Sequence, residues 1–105
     1  MTTYIINSPI LTAYGHWQFD GPISKVEAVA LLQDGFVSAI GHSASADVLS
    51  NYLSIEIPVN RIQISMLTGD KALVLRLLSR LPEGKVLDHE ELVRIPFELG
   101  VLTRY

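Results

Sequence analysis

The spacing of apolar residues changes several times along the chain, and each change predicts an element. Tyr4-Ile5-Ile6 is a short β-branched and aromatic run that stops at Asn7-Ser8-Pro9, the pattern of a strand entering a loop. Residues 10–22 mix apolar side chains with Gly15, Gly21 and Pro22, which reads as an irregular excursion with room for a short hairpin. Ser24-Lys25-Val26-Glu27 then forms a capping box. Val26, Val29, Ala30 and Gln33 follow at helical spacing, and Asp34-Gly35 supplies the stop, so a helix is predicted over 24–34. Phe36–Ile40 reads as a strand. Ser43 or Ser45 can cap a second helix that places Val48, Leu49, Tyr52 and Leu53 on one face.

From Asn60 to Met66 the apolar and polar residues alternate, the signature of a half-buried strand. Thr68-Gly69-Asp70 is a turn, and Ala72–Leu78 is almost continuously apolar, as in a central strand covered on both faces. The two segments together predict an antiparallel hairpin at 60–79. Asp88-His89-Glu90-Glu91 is a second capping box, opening a short helix that Pro96 closes, and Phe97–Leu102 is a last strand. The expected fold is α/β: a single small mixed β-sheet of about five strands flanked by two to three helices, in one domain over residues 1–105.

Composition narrows the class. At 49% hydrophobic and 18% charged, with a mean hydropathy of +0.32, the chain is too apolar for disorder. There is no Cys, which removes structural disulfides, thiolate nucleophiles and zinc–thiolate sites. The N-terminus has no basic region before its apolar residues and is broken at Asn7-Ser8-Pro9, unlike a signal peptide. No apolar run approaches the roughly 18 residues of a membrane span. A protein of the cytoplasm, with no membrane partner, is expected. A net charge of −3 argues against long nucleic acid as a partner. Yet seven of the eight Lys/Arg residues follow position 60. Either they build a local site for a small anion, or they are ordinary surface charges.

The chemistry is bounded by what is missing. His16, His42 and His89 have no metal-ligand spacing and no acidic cluster beside them. Neither GxxxxGK[ST] nor GxGxxG occurs, and no Ser sits in a nucleophile elbow. No metal and no cofactor is expected. His, Arg, Glu and amides remain, a set suited to general acid–base catalysis and charge stabilisation. Cleavage of RNA by its own 2′-hydroxyl needs little more, because the substrate carries the nucleophile. In Phe36-Val37-Ser38-Ala39-Ile40-Gly41-His42 an apolar run ends on a histidine just before a helix, where backbone N–H groups can hold a phosphate. His42 is a turn residue on the plain reading and a general acid on the other. Arg76 inside an apolar strand marks either a sheet edge or a strand face turned to an anion. Arg80-Leu81-Pro82-Glu83-Gly84-Lys85 is a solvated charged loop or part of a site, and Asn7 is by default a turn former.

The combination of SAIGH (38–42), NRIQISMLTGDKAL (60–73) and RLPEGKVL (80–87), after an early strand ending in Asn7, resembles the viral anti-CRISPR ring nucleases of type III immunity. NSPILTAYG (7–15) is similar to the opening of the bacterial and phage branch. The resemblance runs from about residue 4 to residue 102. It implies a small mixed α/β homodimer that binds cyclic tetra-adenylate at its two-fold interface. It also implies metal-independent cleavage of that second messenger to linear di-adenylates with 2′,3′-cyclic phosphate ends, which silences type III CRISPR signalling in the host cytoplasm. By motif, His42 takes the place of the catalytic histidine, Arg80 stabilises the phosphorane and Glu83 orients His42 or the ribose. Asn7 and Arg61 match ligand contacts, with Gly41, Ser43, Ser45, Arg76 and Lys85 as further substrate-binding candidates. Many archaeal viral relatives carry Asp-Ser-Thr after the histidine, where this chain has Ser43-Ala44-Ser45, and some carry Gln in place of Arg76. The competing expectations are a sponge that binds a cyclic nucleotide without cutting it, and a protein-interaction module.

Overall fold

The computed structural model describes residues 1–79 and 88–105. Among these residues five strands form one sheet in the order β2-β5-β4-β1-β3, and three helices complete the α/β fold. The elements are β1 (Thr3–Ile6), β2 (Trp17–Asp20), α1 (Lys25–Leu32), β3 (Val37–Ser38), α2 (Ser43–Leu53), β4 (Lys71–Leu77), α3 (His89–Arg94) and β5 (Phe97–Arg104). β1 runs parallel to both β3 and β4, while β5 is antiparallel to both β4 and β2. The sheet is therefore mixed, with β4 near its centre. Residues Ala72–Leu75 of that strand are all buried, as a run apolar on both faces requires.

The pleat divides β4 between two cores. Leu73 and Leu75 join Ile5 and Leu99 beneath α1 and α2, through Ala28, Leu32, Ala46, Leu49 and Leu53. Ala72 and Val74 face the other way, with Ile6, Leu102 and Met66. A fully buried leucine such as Leu73 contributes about 1.5–3 kcal/mol relative to an exposed one. Both capping boxes form as the sequence predicts. The Ser24 and Asp88 side chains accept from the amides of Glu27 and Glu91, and each glutamate bonds back to its cap. Gly35 has φ +106 and closes α1 with a bond from its amide to the Leu32 carbonyl.

Several expectations are corrected. Residues 60–66 form no strand, and there is no hairpin at 60–79. Both edges of β4 are occupied, by β1 on one side and β5 on the other. The alternation is nonetheless seen in burial over the second half of the segment, while Ile62 is exposed. Ile64 and Met66 turn inward onto the second core, while Arg61, Gln63 and Ser65 face out. The backbone of this segment is satisfied individually: the Asn60 amide donates to the Ile40 carbonyl, and the Met66 amide to Thr12 Oγ1. The fifth strand is instead β2, inside the 10–22 excursion, paired with the distant β5 rather than in a local hairpin. In α1 the buried positions are Ala28 and Leu32. Val26 and Val29 are exposed, because the helix docks through the row one step away from the predicted one. Among the described residues no helix is long and apolar enough to cross a membrane.

Candidate functional site

Because β1, β3 and β4 are parallel, the chain leaves all three at one end of the sheet, where open α/β folds place their ligands. β1 exits at Asn7. β3 exits through Ala39-Ile40-Gly41 to His42. β4 exits through Leu78-Ser79 toward residue 80. Arg80, Glu83 and Lys85 lie outside the described residues.

His42, not Ser43 or Ser45, is the N-cap of α2. Its backbone is extended (φ −129°, ψ 121°), so the helix begins at Ser43 and both serines fall within the first turn. The imidazole makes no capping bond, and His42 Nδ1 is buried without a hydrogen-bond partner among the described residues. A buried ring nitrogen left unpaired is uncommon and needs an explanation. Ser43 is exposed beside it, whereas Ser45 is 2% exposed and packed inward, so only the first of the two hydroxyls is offered to a ligand.

Arg61 reaches the same corner from the 60–66 segment. Its Nε and Nη2 both donate to the Gly41 carbonyl oxygen, at 3.2 and 2.9 Å. Gly41 leaves the room for this. A Cβ there would stand 3.2 Å from Arg61 Nε and 3.3 Å from its Cγ. Two further bonds hold the segment against β3: Asn60 Nδ2 donates to the Ser38 carbonyl at 2.7 Å, and Ser38 Oγ to the Pro58 carbonyl at 2.7 Å. The guanidinium remains exposed while one edge is anchored.

Asn7 lies beside this corner. It lines a groove of ≈ 500 Å³ with Ile6, Ile10, Leu11, Ala39, Ile62 and Gln63. Ala39 is two residues before Gly41 and Ile62 one after Arg61, so groove and corner are continuous along the chain. Arg76 is placed differently. It pairs with Glu98 at 3.1 Å, directly across β4 and β5, and lines a smaller groove of ≈ 160 Å³ with Phe19, Asp20 and Gly100. The structure thus gathers Asn7, Gly41, His42, Ser43 and Arg61, and sets Arg76 apart. Thr12, Asn60 and Gln63 were not singled out from sequence. Asn60 alone carried a signal, as a polar residue directly before Arg61 in the resemblance block.

The family model described as STIV B116-like matches residues 3–99 of the chain. The chain belongs to the STIV B116-like family. Among its relatives is protein 26 of Sulfolobus islandicus filamentous virus (isolate Iceland/Hveragerdi), 48% identical over 75 residues that cover 70% of this chain and 64% of that protein, just under two thirds. The ORF117 protein of Acidianus two-tailed virus is 43% identical, covering 78% of this chain and 74% of its own. YddF of Bacillus subtilis (strain 168) is 28% identical, with 99% and 98% covered. The solved structure of B116 of Sulfolobus turreted icosahedral virus superposes with a TM-score of 0.79 at 19% identity, over 99% of this chain and 100% of that one, which establishes a shared fold.

Proposed function

We propose that this chain is a metal-independent ring nuclease that binds cyclic tetra-adenylate and opens it to linear di-adenylates with 2′,3′-cyclic phosphate ends, thereby inhibiting type III CRISPR signalling. The observation that carries this reading is the His42 imidazole, held at the start of α2 with Nδ1 unpartnered. A ribose 2′-hydroxyl attacks the adjacent phosphorus and loses its proton to solvent water, the bond from phosphorus to the 5′-oxygen breaks, and His42 gives its proton to the departing oxygen. By the resemblance, Arg80 stabilises the phosphorane and Glu83 orients the imidazole. A carboxylate accepting from Nδ1–H leaves Nε2 to deliver the proton, the logic by which an acidic residue sets a catalytic histidine's tautomer. The Ser43 hydroxyl and the opening amides of α2 suit a phosphate, and the anchored Arg61 adds positive charge beside it. Asn7 and Gln63 offer amides to adenine edges in the adjoining groove.

The proposed working form is a homodimer with the ligand at its two-fold axis. A cyclic tetranucleotide has rotational symmetry, so two His42 side chains can serve opposite phosphates. The exposed Ile10, Leu11, Tyr14 and Ile62 beside the groove support association, since apolar side chains grouped on a surface mark interfaces.

The test is incubation with cyclic tetra-adenylate in EDTA, followed by separation of the products. Linear di-adenylate that disappears in His42→Ala supports the nuclease. Intact ligand recovered from a stable complex identifies a sponge instead, and neither binding nor cleavage across ring sizes rejects both. Sedimentation as a monomer with ligand present rejects the shared-interface site.

A further inference from the structure

Arg76 is the one charge between Ala72 and Leu77. Its place in the pleat continues Ala72 and Val74, on the face where the second core ends. Val74 pairs with Ile6, so Arg76 stands level with the chain's exit from β1 at Asn7-Ser8. It stands one strand over from the β1 exit that carries Asn7, while its side chain lines a separate groove. The Arg76 side chain is 59% exposed, and among the described residues its ion pair is with Glu98 alone, through Nη1. Next to Glu98 on the same face is Gly100, where a Cβ would stand 2.7 Å from Phe19 Cε1. Phe19 packs into that space, and Phe19 and Gly100 line the ≈ 160 Å³ groove together with Arg76 and Glu98. One guanidinium therefore shares its groove with the carboxylate it is paired to, and unliganded it offers an anion little net attraction.

We infer that Glu98 tunes anion binding at Arg76: it is a competing counter-ion that an incoming phosphate of the cyclic oligoadenylate displaces, and so sets how tightly the ring is held. This rests on the function proposed above. Glu98 fixes the guanidinium by one nitrogen and leaves its other edge for the phosphate. Its negative charge opposes that same phosphate across a few ångströms of accessible groove. The net effect is a site held below its full affinity, which favours release of the charged products.

The experiment measures binding of cyclic tetra-adenylate by calorimetry in EDTA, on the full chain carrying His42→Ala so that no turnover intervenes. Glu98→Gln on that background should bind about two- to five-fold tighter, the range that one exposed ion pair allows. The gain should shrink as salt is raised, because the charges are solvent-accessible. Glu98→Asp keeps the charge and should match the parent, and both variants should melt cooperatively. With Arg76→Ala added, Glu98→Gln should change nothing. If the parent binds and Glu98→Gln leaves affinity unchanged or weakens it, the inference is overturned and the proposed function stands. An equal gain with Arg76 absent reduces Glu98 to general repulsion and also overturns it. A parent that binds no ring rejects the proposed function, and this inference with it.

Discussion

Arg61 grips the carbonyl oxygen of Gly41 with Nε and Nη2, at 3.2 and 2.9 Å, and so ties the 60–66 segment to the turn that carries His42. The two residues are 20 positions apart in the chain. Position 41 does not have the left-handed backbone found at Gly15, Gly35 and Gly69, so alanine is conformationally acceptable there. Its methyl would nevertheless crowd Arg61. Gly41→Ala should therefore fold with a stability loss under about 1 kcal/mol, the usual cost where a flexible side chain can give way. Ring opening should fall on the order of ten-fold, because Arg61 and the His42 turn shift together. Chemical denaturation and a cleavage assay on the same preparation check both halves.

His42→Ala separates chemistry from fold. The side chain makes no capping bond, so the melting temperature should stay within the change expected of about 0.5 kcal/mol. Single-turnover cleavage should drop by about 10²–10⁴, the range for loss of a general acid. The wild-type rate should be the same with and without EDTA, and a rate that EDTA abolishes would contradict the metal-independent reading.

Thr12 supports the groove from beneath. Its Oγ1 accepts from the amide of Met66, a residue with no exposed surface. Thr12→Val keeps the shape and leaves that amide unpaired, which should cost about 1–3 kcal/mol in urea denaturation. Thr12→Ser retains the acceptor and should recover most of the loss. Ligand affinity should fall in the valine variant, since Thr12 also lines the groove with Asn7.

Asp70 is 3% exposed and accepts from two backbone amides, Thr2 through Oδ1 at 2.8 Å and Leu67 through Oδ2 at 2.9 Å. Asp70→Asn provides one acceptor oxygen where the carboxylate had two. One amide is then orphaned, and a destabilisation of about 1–3 kcal/mol is expected. Hydrogen exchange should show faster exchange at Thr2 or Leu67, with the His42 corner unaffected.

What could be read in advance follows the range of the interaction. Ser24 with Glu27 and Asp88 with Glu91 are three residues apart, so their capping boxes were visible in the sequence and form as predicted. The buried run of β4 was equally visible, because a residue pattern reports burial whatever covers it. The alternation at 60–66 reported burial correctly for Ile64 and Met66 but not for Ile62, which is exposed, and it carried no information on pairing. Ile64 and Met66 bury themselves by lying across the sheet, while β1 and β5 take both edges of β4. β2 was missed for the complementary reason: Trp17–Asp20 is largely exposed, and its partner lies more than 80 residues away.

The site divides along the same line. Sequence alone determined the donor set, His42 with arginines and amides and no Cys, and the local motif that puts a histidine before a helix. Those depend on residue identity and near neighbours. The tertiary structure decided that Arg61 anchors on Gly41, that Asn7 opens onto the groove beside them, that Ser45 turns inward, and that Arg76 faces Glu98 rather than His42. Strand order and helix rotation set those relationships. Both come from how whole faces pack and which edges remain free, quantities that no short stretch of the chain encodes.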